Sequence, residues 1–396
     1  MIFLFKLIKL LLRSRIYYSN PPKSPIVIFD DESFDDFKNV LKNRKFFILQ
    51  SRDYKVNKIF FNIEIIQKMI KYFKKNIFSS YLLSIIDIVN PKIILTTIDN
   101  SFKFHELVKI LDKEGDKTCI AVQNAARYDI HRNELLFKKK ISSINDNKNF
   151  FIPHYYCYGS QEVKDCKKFK IKVLKFYKNG SLRLSNYLQY IKTKNIKIKN
   201  NKFDIALISE GAGNRNKLWK QEGIDEGFAE VAKFVIQFCN KNKLKFIFVL
   251  KNPQGEHKDV ELSYYKKFLS KKDFLYLSKN YIANKKGIYT SYRTIDESKV
   301  AIGVCSTMLR DKISLNGKIL ACNNTKLDLY DFPVKGICSI KKANYNSFDK
   351  RLKKILRMNN RLFSKEIKNK KIINTNKNDF TFTHLNHHID KILYEN

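Results

Sequence analysis

The stretch SKVAIGVCSTMLRDKISLNGKIL, Ser298–Leu320, decides how this chain is read. Val300–Val304 is a short β-branched run of the kind that forms a strand buried on both faces. Ser306 and Thr307 then supply side chains that satisfy the first N–H groups of a helix. Asn316-Gly317 closes that helix, and a second apolar run begins at Lys318. A buried strand, a capped helix and another buried strand make one turn of a parallel α/β fold. In such folds the helix N-terminus lies beyond the strand end and is a ready site for an anion.

The same alternation extends outward through the chain. Upstream, Phe203–Ser209 and Phe246–Leu250 read as strands, and Phe274–Leu277 as a further short one. Phe228, Val231, Ala232, Val235 and Cys239 form the i, i+3, i+4, i+7, i+11 stripe of a helix, and a second helix is expected near Val260–Leu269. In the first half, strands are predicted at Ile26–Phe29, Phe46–Leu49, Ile93–Thr96, Cys119–Val122 and Tyr155–Tyr158. Helical stretches fall around Ile63–Lys75, Tyr81–Val89 and Phe102–Leu111. The Lys/Asn/Thr-rich segment Ile191–Lys202 reads as a linker. The expected fold class is therefore α/β with two Rossmann-like domains, 1–195 and 203–343, facing each other across a cleft. A helical tail, 344–396, follows.

With 396 residues, 44% hydrophobic and 13% aromatic, the chain has apolar surface for large cores, which excludes global disorder. The 77 Lys+Arg and 38 Asp+Glu leave a formal charge of +39. That charge suits an anionic partner, be it nucleotide, nucleic acid or membrane. Ile, Lys, Asn, Phe and Tyr, all with A/T-rich codons, are abundant together, so base composition also accounts for surface lysine. The aromatics fall within apolar strand and helix patterns and not between basic residues, which disfavours nucleic acid. Seven scattered cysteines without a CxxC pair suggest neither zinc nor a disulfide framework, and point to a cytoplasmic protein. The start, MIFLFKLIKLLLRSR, is too short to span a bilayer and lacks a small-residue cleavage site. Residues 1–15 fit either a first helix packed on its own domain or an interfacial segment on an anionic membrane.

Candidate chemistry gathers at predicted strand ends. Asp99, followed by Asn100-Ser101, can act as the base toward an acceptor hydroxyl or can cap the next helix. His105 and Glu106, one turn on, read as surface groups. Gln123 and Asn124 offer amides to sugar hydroxyls, and Arg127 a bidentate contact to phosphate or carboxylate. Glu210 is a second base candidate, and Gly211 and Gly213 permit close backbone approach to a ligand. Lys251 and Arg293 are cations for a donor phosphate, or solvated surface groups. His384, His387 and His388 read as a surface helix, so no metal ligand set is expected. No GxGxxG or GxxxxGK[ST] motif occurs, which disfavours NAD binding and P-loop hydrolysis.

Several of these segments, taken in order over residues 90–325, resemble bacterial surface-carbohydrate (O-antigen) biosynthesis proteins of GT-B glycosyltransferase type. They are Leu95–Ser101, Ile120–Arg127, the Tyr-Gly-x-x-Glu step Tyr158–Glu162, Glu261–Tyr265, Ser291-Tyr292 and Ser306-Thr307 with Asp311 and Gly317-Lys318. Two positions depart from the pattern. Asp311 stands where a Glu is usual after Ser-Thr, and Ala125 where a Gly often follows Gln-Asn. The resemblance implies a metal-independent enzyme without cofactor that uses a nucleotide-activated donor. Ser306 and Thr307 would hold its phosphate, Asp311 its ribose. The acceptor would be a saccharide or lipid-linked saccharide, met on the inner face of the cytoplasmic membrane. A polyol-phosphate transferase is the related alternative, and a basic nucleic-acid-binding protein the alternative of another class.

Overall fold

The computed structural model describes residues 12–52, 56–72, 76–125, 150–168, 170–210, 224–251, 255–282, 289–368 and 381–395. Among the described residues, eight strands form the first half: β1 (Arg15–Tyr17), β2 (Ile26–Phe29), β3 (Phe46–Leu49), β4 (Lys58–Phe60), β5 (Ile93–Thr96), β6 (Thr118–Val122), β7 (Phe151–Cys157) and β8 (Lys172–Lys178). β1 and β4 pair as a small parallel ribbon, and the other six form one parallel sheet in the order β3-β2-β5-β6-β7-β8. Every residue of β2 and β5 is buried, as apolar runs covered on both faces require. Val27 and Phe29 face one core with helices Ile63–Lys71, Ile77–Val89 and Phe102–Glu114. Ile26 and Ile28 face the other, which contains Phe37, Val40 and Leu182.

The second half repeats the plan. β9 (Phe203–Ile208), β10 (Phe246–Val249), β11 (Tyr281–Ile282), β12 (Ser298–Gly303), β13 (Lys318–Asn323) and β15 (Ser339–Lys341) form a parallel sheet in the order β11-β10-β9-β12-β13-β15. β14 (Lys335–Gly336) pairs antiparallel with β16 (Ile367–Lys368). Helix Ile224–Asn242 buries the predicted Phe228–Cys239 stripe against this sheet. At Gly227 a Cβ would meet the backbone of Asn324 and Thr325 at 2.6 Å, so only glycine lets helix and loop approach this closely. The expectation of two Rossmann-like sheets thus describes the molecule.

Local readings differ in places. Phe274–Leu277 is not a strand but part of helix Lys271–Lys279, because Ser270 caps it by accepting from the Asp273 N–H at 3.1 Å. The edge strand is Tyr281–Ile282 instead. β8 has no apolar run to mark it, because its sequence, KVLKFYK, carries the lysines that protect a sheet edge. The final helices do not stand apart. Tyr345–Arg357 puts Phe348, Leu352 and Ile355 into the second core, while Thr381–Tyr394 returns to the first sheet through Leu385 and Ile389. Among the described residues no helix is long and apolar enough to cross a membrane.

Each sheet has one topological switch point, where consecutive crossovers depart in opposite directions. In the first it lies between β2 and β5, in the second between β9 and β12. Ligands of open parallel sheets bind beyond the carboxyl ends of the strands at such points.

Candidate functional site

At the second switch point β12 ends and the helix Thr307–Ser314 begins. Ser306 is its N-cap, with its hydroxyl accepting from the Met308 N–H at 3.4 Å. The helix's own first turn carries no acid. Glu210, just after β9, reaches across the switch point: its Oε1 accepts from Val304 N at 3.1 Å and Cys305 N at 3.0 Å. The carboxylate thus staples the two loops together. Lys251 is exposed, and its backbone N–H donates to Oε1 of the buried Glu261 at 3.3 Å. The guanidinium of Arg293 pairs with Glu297 at 3.0 Å, one turn along, so that charge is occupied within its own element. Gly211 and Gly213 lie outside the described residues.

The face of helix Thr307–Ser314 turned away from its N-terminus meets the first domain. Arg310 is buried and bidentate, with Nη1 at 2.6 Å and Nη2 at 3.2 Å from the two oxygens of the buried Glu162. Its guanidinium also lies over the Tyr158 ring, 5.1 Å from the centroid. Glu162 follows β7, and Gln123, at the end of β6, lies 3.5 Å from it. Carboxyl-edge residues of the first sheet therefore touch the helix that springs from the carboxyl edge of the second. The carboxyl edges of the two sheets confront each other.

Asp311 is buried in the same seam and accepts the Tyr292 hydroxyl at 2.9 Å. Tyr292 stacks on Tyr187, whose hydroxyl donates to Asp296 at 3.1 Å. Desolvation pushes the Asp311 pKa up from 3.8 to about 7, opposed by the tyrosine hydrogen bond and by the charges of Arg310 and Arg183. The folded state holds this proton more tightly than the unfolded chain. The stability it contributes is complete below pH 3.8 and is lost as the pH rises through 7. Thermal scans at pH 5 and pH 8 check this: the parent should lose more Tm over that range than Asp311→Asn, and equal losses would show that the carboxyl does not titrate there.

On the first sheet, Asp99 sits beyond β5, buried, with Oδ2 accepting from the Tyr155 hydroxyl at 2.7 Å. The helix cap belongs to Ser101, which accepts from the Phe104 N–H, so Asp99 does not serve as the cap. Thr97 donates its backbone N–H to the Ser33 hydroxyl at 2.9 Å, tying the loop after β5 to that after β2. Asn100 is exposed. Gln123 is buried and turned inward: its amide oxygen accepts from Tyr158 N and its nitrogen donates to Ala125 O, both at 2.9 Å. Asn124 is half-buried beside it, and Arg127 lies outside the described residues. His105 is not a surface group. It is buried, its Nδ1 lies 3.1 Å from Phe151 O, and desolvation lowers its pKa to about 4. Glu106 is half-buried and accepts the Ser79 hydroxyl at 3.1 Å.

Asp30 lies in the acidic run FDDESFDDF, where the sequence does not set it apart from its neighbours. It stands at the first switch point with φ +79°, a strained angle for a residue with a Cβ. Its carboxylate accepts the Ser51 hydroxyl at 2.6 Å and pairs with Arg52 Nε at 3.1 Å. Its one local partner is the Glu32 N–H, which it accepts at 3.2 Å as an ordinary turn cap would, while Ser51 and Arg52 come from beyond β3.

Among the described residues no group of three or more His, Cys, Asp or Glu side chains is arranged to hold a metal. His384 and His387 are exposed, but His388 is not part of a free surface. It packs on Tyr156 and Tyr177, with Nδ1 3.0 Å from the Tyr156 hydroxyl. None of the seven cysteines, all among the described residues, is joined in a disulfide.

No protein-family model matches the chain, and no curated protein matches it in sequence. Solved structures do. The Methanocaldococcus jannaschii UDP-GlcNAc 2-epimerase, in complex with UDP-GlcNAc and UDP, aligns with a TM-score of 0.53 at 10% identity, over 94% of this chain and 99% of that one. The S. aureus MnaA–UDP complex aligns at 0.53 and 10% identity, over 93% and 96%. The wall teichoic acid polymerase TagF, soaked with CDPG, aligns at 0.50 and 12% identity, over 94% and 90%. The chain shares with them the GT-B-type fold of two facing Rossmann-like domains.

Proposed function

We propose that this chain is a transferase that moves a sugar from a nucleotide-activated donor onto a saccharide or lipid-linked acceptor in surface-polysaccharide assembly. The observation that carries the reading is the confrontation of two carboxyl edges, fastened through Arg310 and Glu162. One edge presents a helix N-terminus capped by Ser306, with Thr307 beside it and no acid in its first turn. Such a terminus suits the diphosphate of a nucleotide, and its N–H groups would stabilise the charge that develops on the leaving phosphate. The other edge presents Asp99, a buried carboxylate that accepts the Tyr155 hydroxyl, as the base toward the acceptor. Neighbours of this fold complexed with UDP or UDP-GlcNAc support the choice of donor class.

A thermal-shift screen against UDP, GDP, CMP and CDP compounds tests it. A ligand at a hundredfold its Kd adds about 2.7 kcal/mol to the folded state, which raises Tm visibly. Replacing Ser306 and Thr307 by Ala should abolish most of that rise, while loss of the Ser306 cap itself costs about 1 kcal/mol. No response to any nucleotide, or an equal response in the double variant, would defeat the assignment.

A second reading is an epimerase acting on the same class of donor, favoured by the likeness to UDP-GlcNAc 2-epimerases. Incubation with UDP-GlcNAc followed by NMR separates the two. A C2-inverted product without acceptor means epimerase, and release of UDP only when acceptor is added means transferase. A CDP-specific response would instead favour polyol-phosphate transfer.

A further inference from the structure

Helix Ile63–Lys71 has one buried side, formed by Ile65 with Met69 and Tyr72 packed nearby. Three more isoleucines lie outside it. Ile63, Ile66 and Ile70 are 74%, 40% and 66% exposed, and at i, i+3, i+7 they form one stripe along the helix. The start of this helix adjoins the ribbon that precedes it. The Phe61 N–H donates to Tyr17 O at 2.8 Å, bringing the end of β1 beside the start of the helix. Phe61 and Tyr18, at this junction, are 49% and 76% exposed. Five large apolar side chains left exposed on one helix and on the strand ends that adjoin its start mark an interaction site.

The surroundings specify the partner. Arg15 and Lys58 are register partners on the ribbon, so their side chains leave it on the same face, and both are exposed, as is Arg13. Glu64, the acid of this helix, is bound by Asn20 at 2.6 Å. The strand carrying Arg15 is preceded in the sequence by MIFLFKLIKLL, residues 1–11, which contain only apolar and cationic side chains. Exposed isoleucines and aromatics beside exposed cations combine the two attractions of an anionic bilayer, apolar insertion and charge. A protein partner would more often present one aromatic anchor in a pocket than an open stripe with a basic margin.

We infer that the Ile63–Ile66–Ile70 face and the β1–β4 ribbon form a docking surface for anionic lipid membrane. It does not rest on the transferase reading, since the nucleotide edges lie on other elements.

The test is co-sedimentation of the full chain with vesicles of phosphatidylcholine containing about 30% phosphatidylglycerol, against phosphatidylcholine alone. The parent should bind the anionic vesicles, and Ile63→Ser/Ile66→Ser/Ile70→Ser should bind them at least about tenfold more weakly. These side chains are exposed, so Tm and the nucleotide response should not change. A second variant, Arg15→Gln/Lys58→Gln, should lose binding mainly at low salt. Binding equal to the parent in the triple variant overturns the inference. So does a parent that fails to bind vesicles, or that self-associates through the stripe, seen as a sedimentation coefficient that rises with concentration in the parent alone. Stronger vesicle binding after deletion of residues 1–11 would show that this segment, and not the bilayer, covers the stripe, and would also overturn it.

Discussion

Arg310→Met should cost about 3–5 kcal/mol of stability, because it leaves the Glu162 carboxylate charged, buried and without its bidentate partner. Glu162→Leu should cost a similar amount for the converse reason. The double variant should recover much of the loss, since two apolar side chains of comparable volume carry no desolvation penalty. Guanidinium denaturation of the four proteins completes the cycle. A strictly additive double variant would mean that the two charges do not interact in solution. The functional consequence is more particular than the loss of stability. Arg310 lies four positions after the Ser306 cap, so the pair fixes the proposed phosphate-binding terminus against the helix that follows β7, Ser160–Lys168. With the pair replaced, nucleotide affinity should fall less than transfer rate, because the nucleotide contacts one domain while transfer requires both edges in register.

The largest kinetic effect is expected at Asp99. Asp99→Asn should lower turnover by about 10²–10⁴-fold while leaving donor affinity and folding near the parent's. The structure makes this a clean substitution. The helix that follows is capped by Ser101, so changing Asp99 does not remove the cap. The Asn amide oxygen can still accept the Tyr155 hydroxyl, so the buried hydrogen bond survives while the basic oxygen is lost. Initial-rate release of nucleotide from the donor identified in the thermal screen, measured with acceptor present, provides the readout. Turnover within a few fold of the parent would exclude Asp99 as the base. Glu210 would then be the remaining carboxylate, although its Oε1 is already committed to the N–H groups of Val304 and Cys305.

What could be read from the chain alone was what depends on near neighbours. The buried strands announce themselves as short runs of Ile, Val, Leu and Phe, and Ile26–Phe29, Phe46–Leu49 and Ile93–Thr96 fall within the bounds expected. The Ser306 cap and the Asn316-Gly317 stop are set by residues within one turn, and Asn316 adopts the left-handed angle, φ +57°, that ends such a helix. Alternation of these units was enough to specify two parallel sheets, because a parallel strand pair needs a crossover and the helices supply it.

The tertiary structure alone decided which polar side chains are committed to holding the fold. Gln123, Arg293 and Glu210 looked available in sequence and are tied to Tyr158, Glu297 and the Val304–Cys305 backbone. His105, expected at the surface, is buried against Phe151. Glu162 and Arg310 are 148 residues apart and meet only once the two sheets are apposed. Local patterning depends on backbone sterics and on the burial of one face, which a window of a dozen residues contains. Polar pairing across domains depends on which strand ends are brought together by topology, and a buried charge is tolerated only where its partner arrives from another part of the chain. The first kind of information is carried by sequence order, whereas the second comes into being when the chain closes on itself.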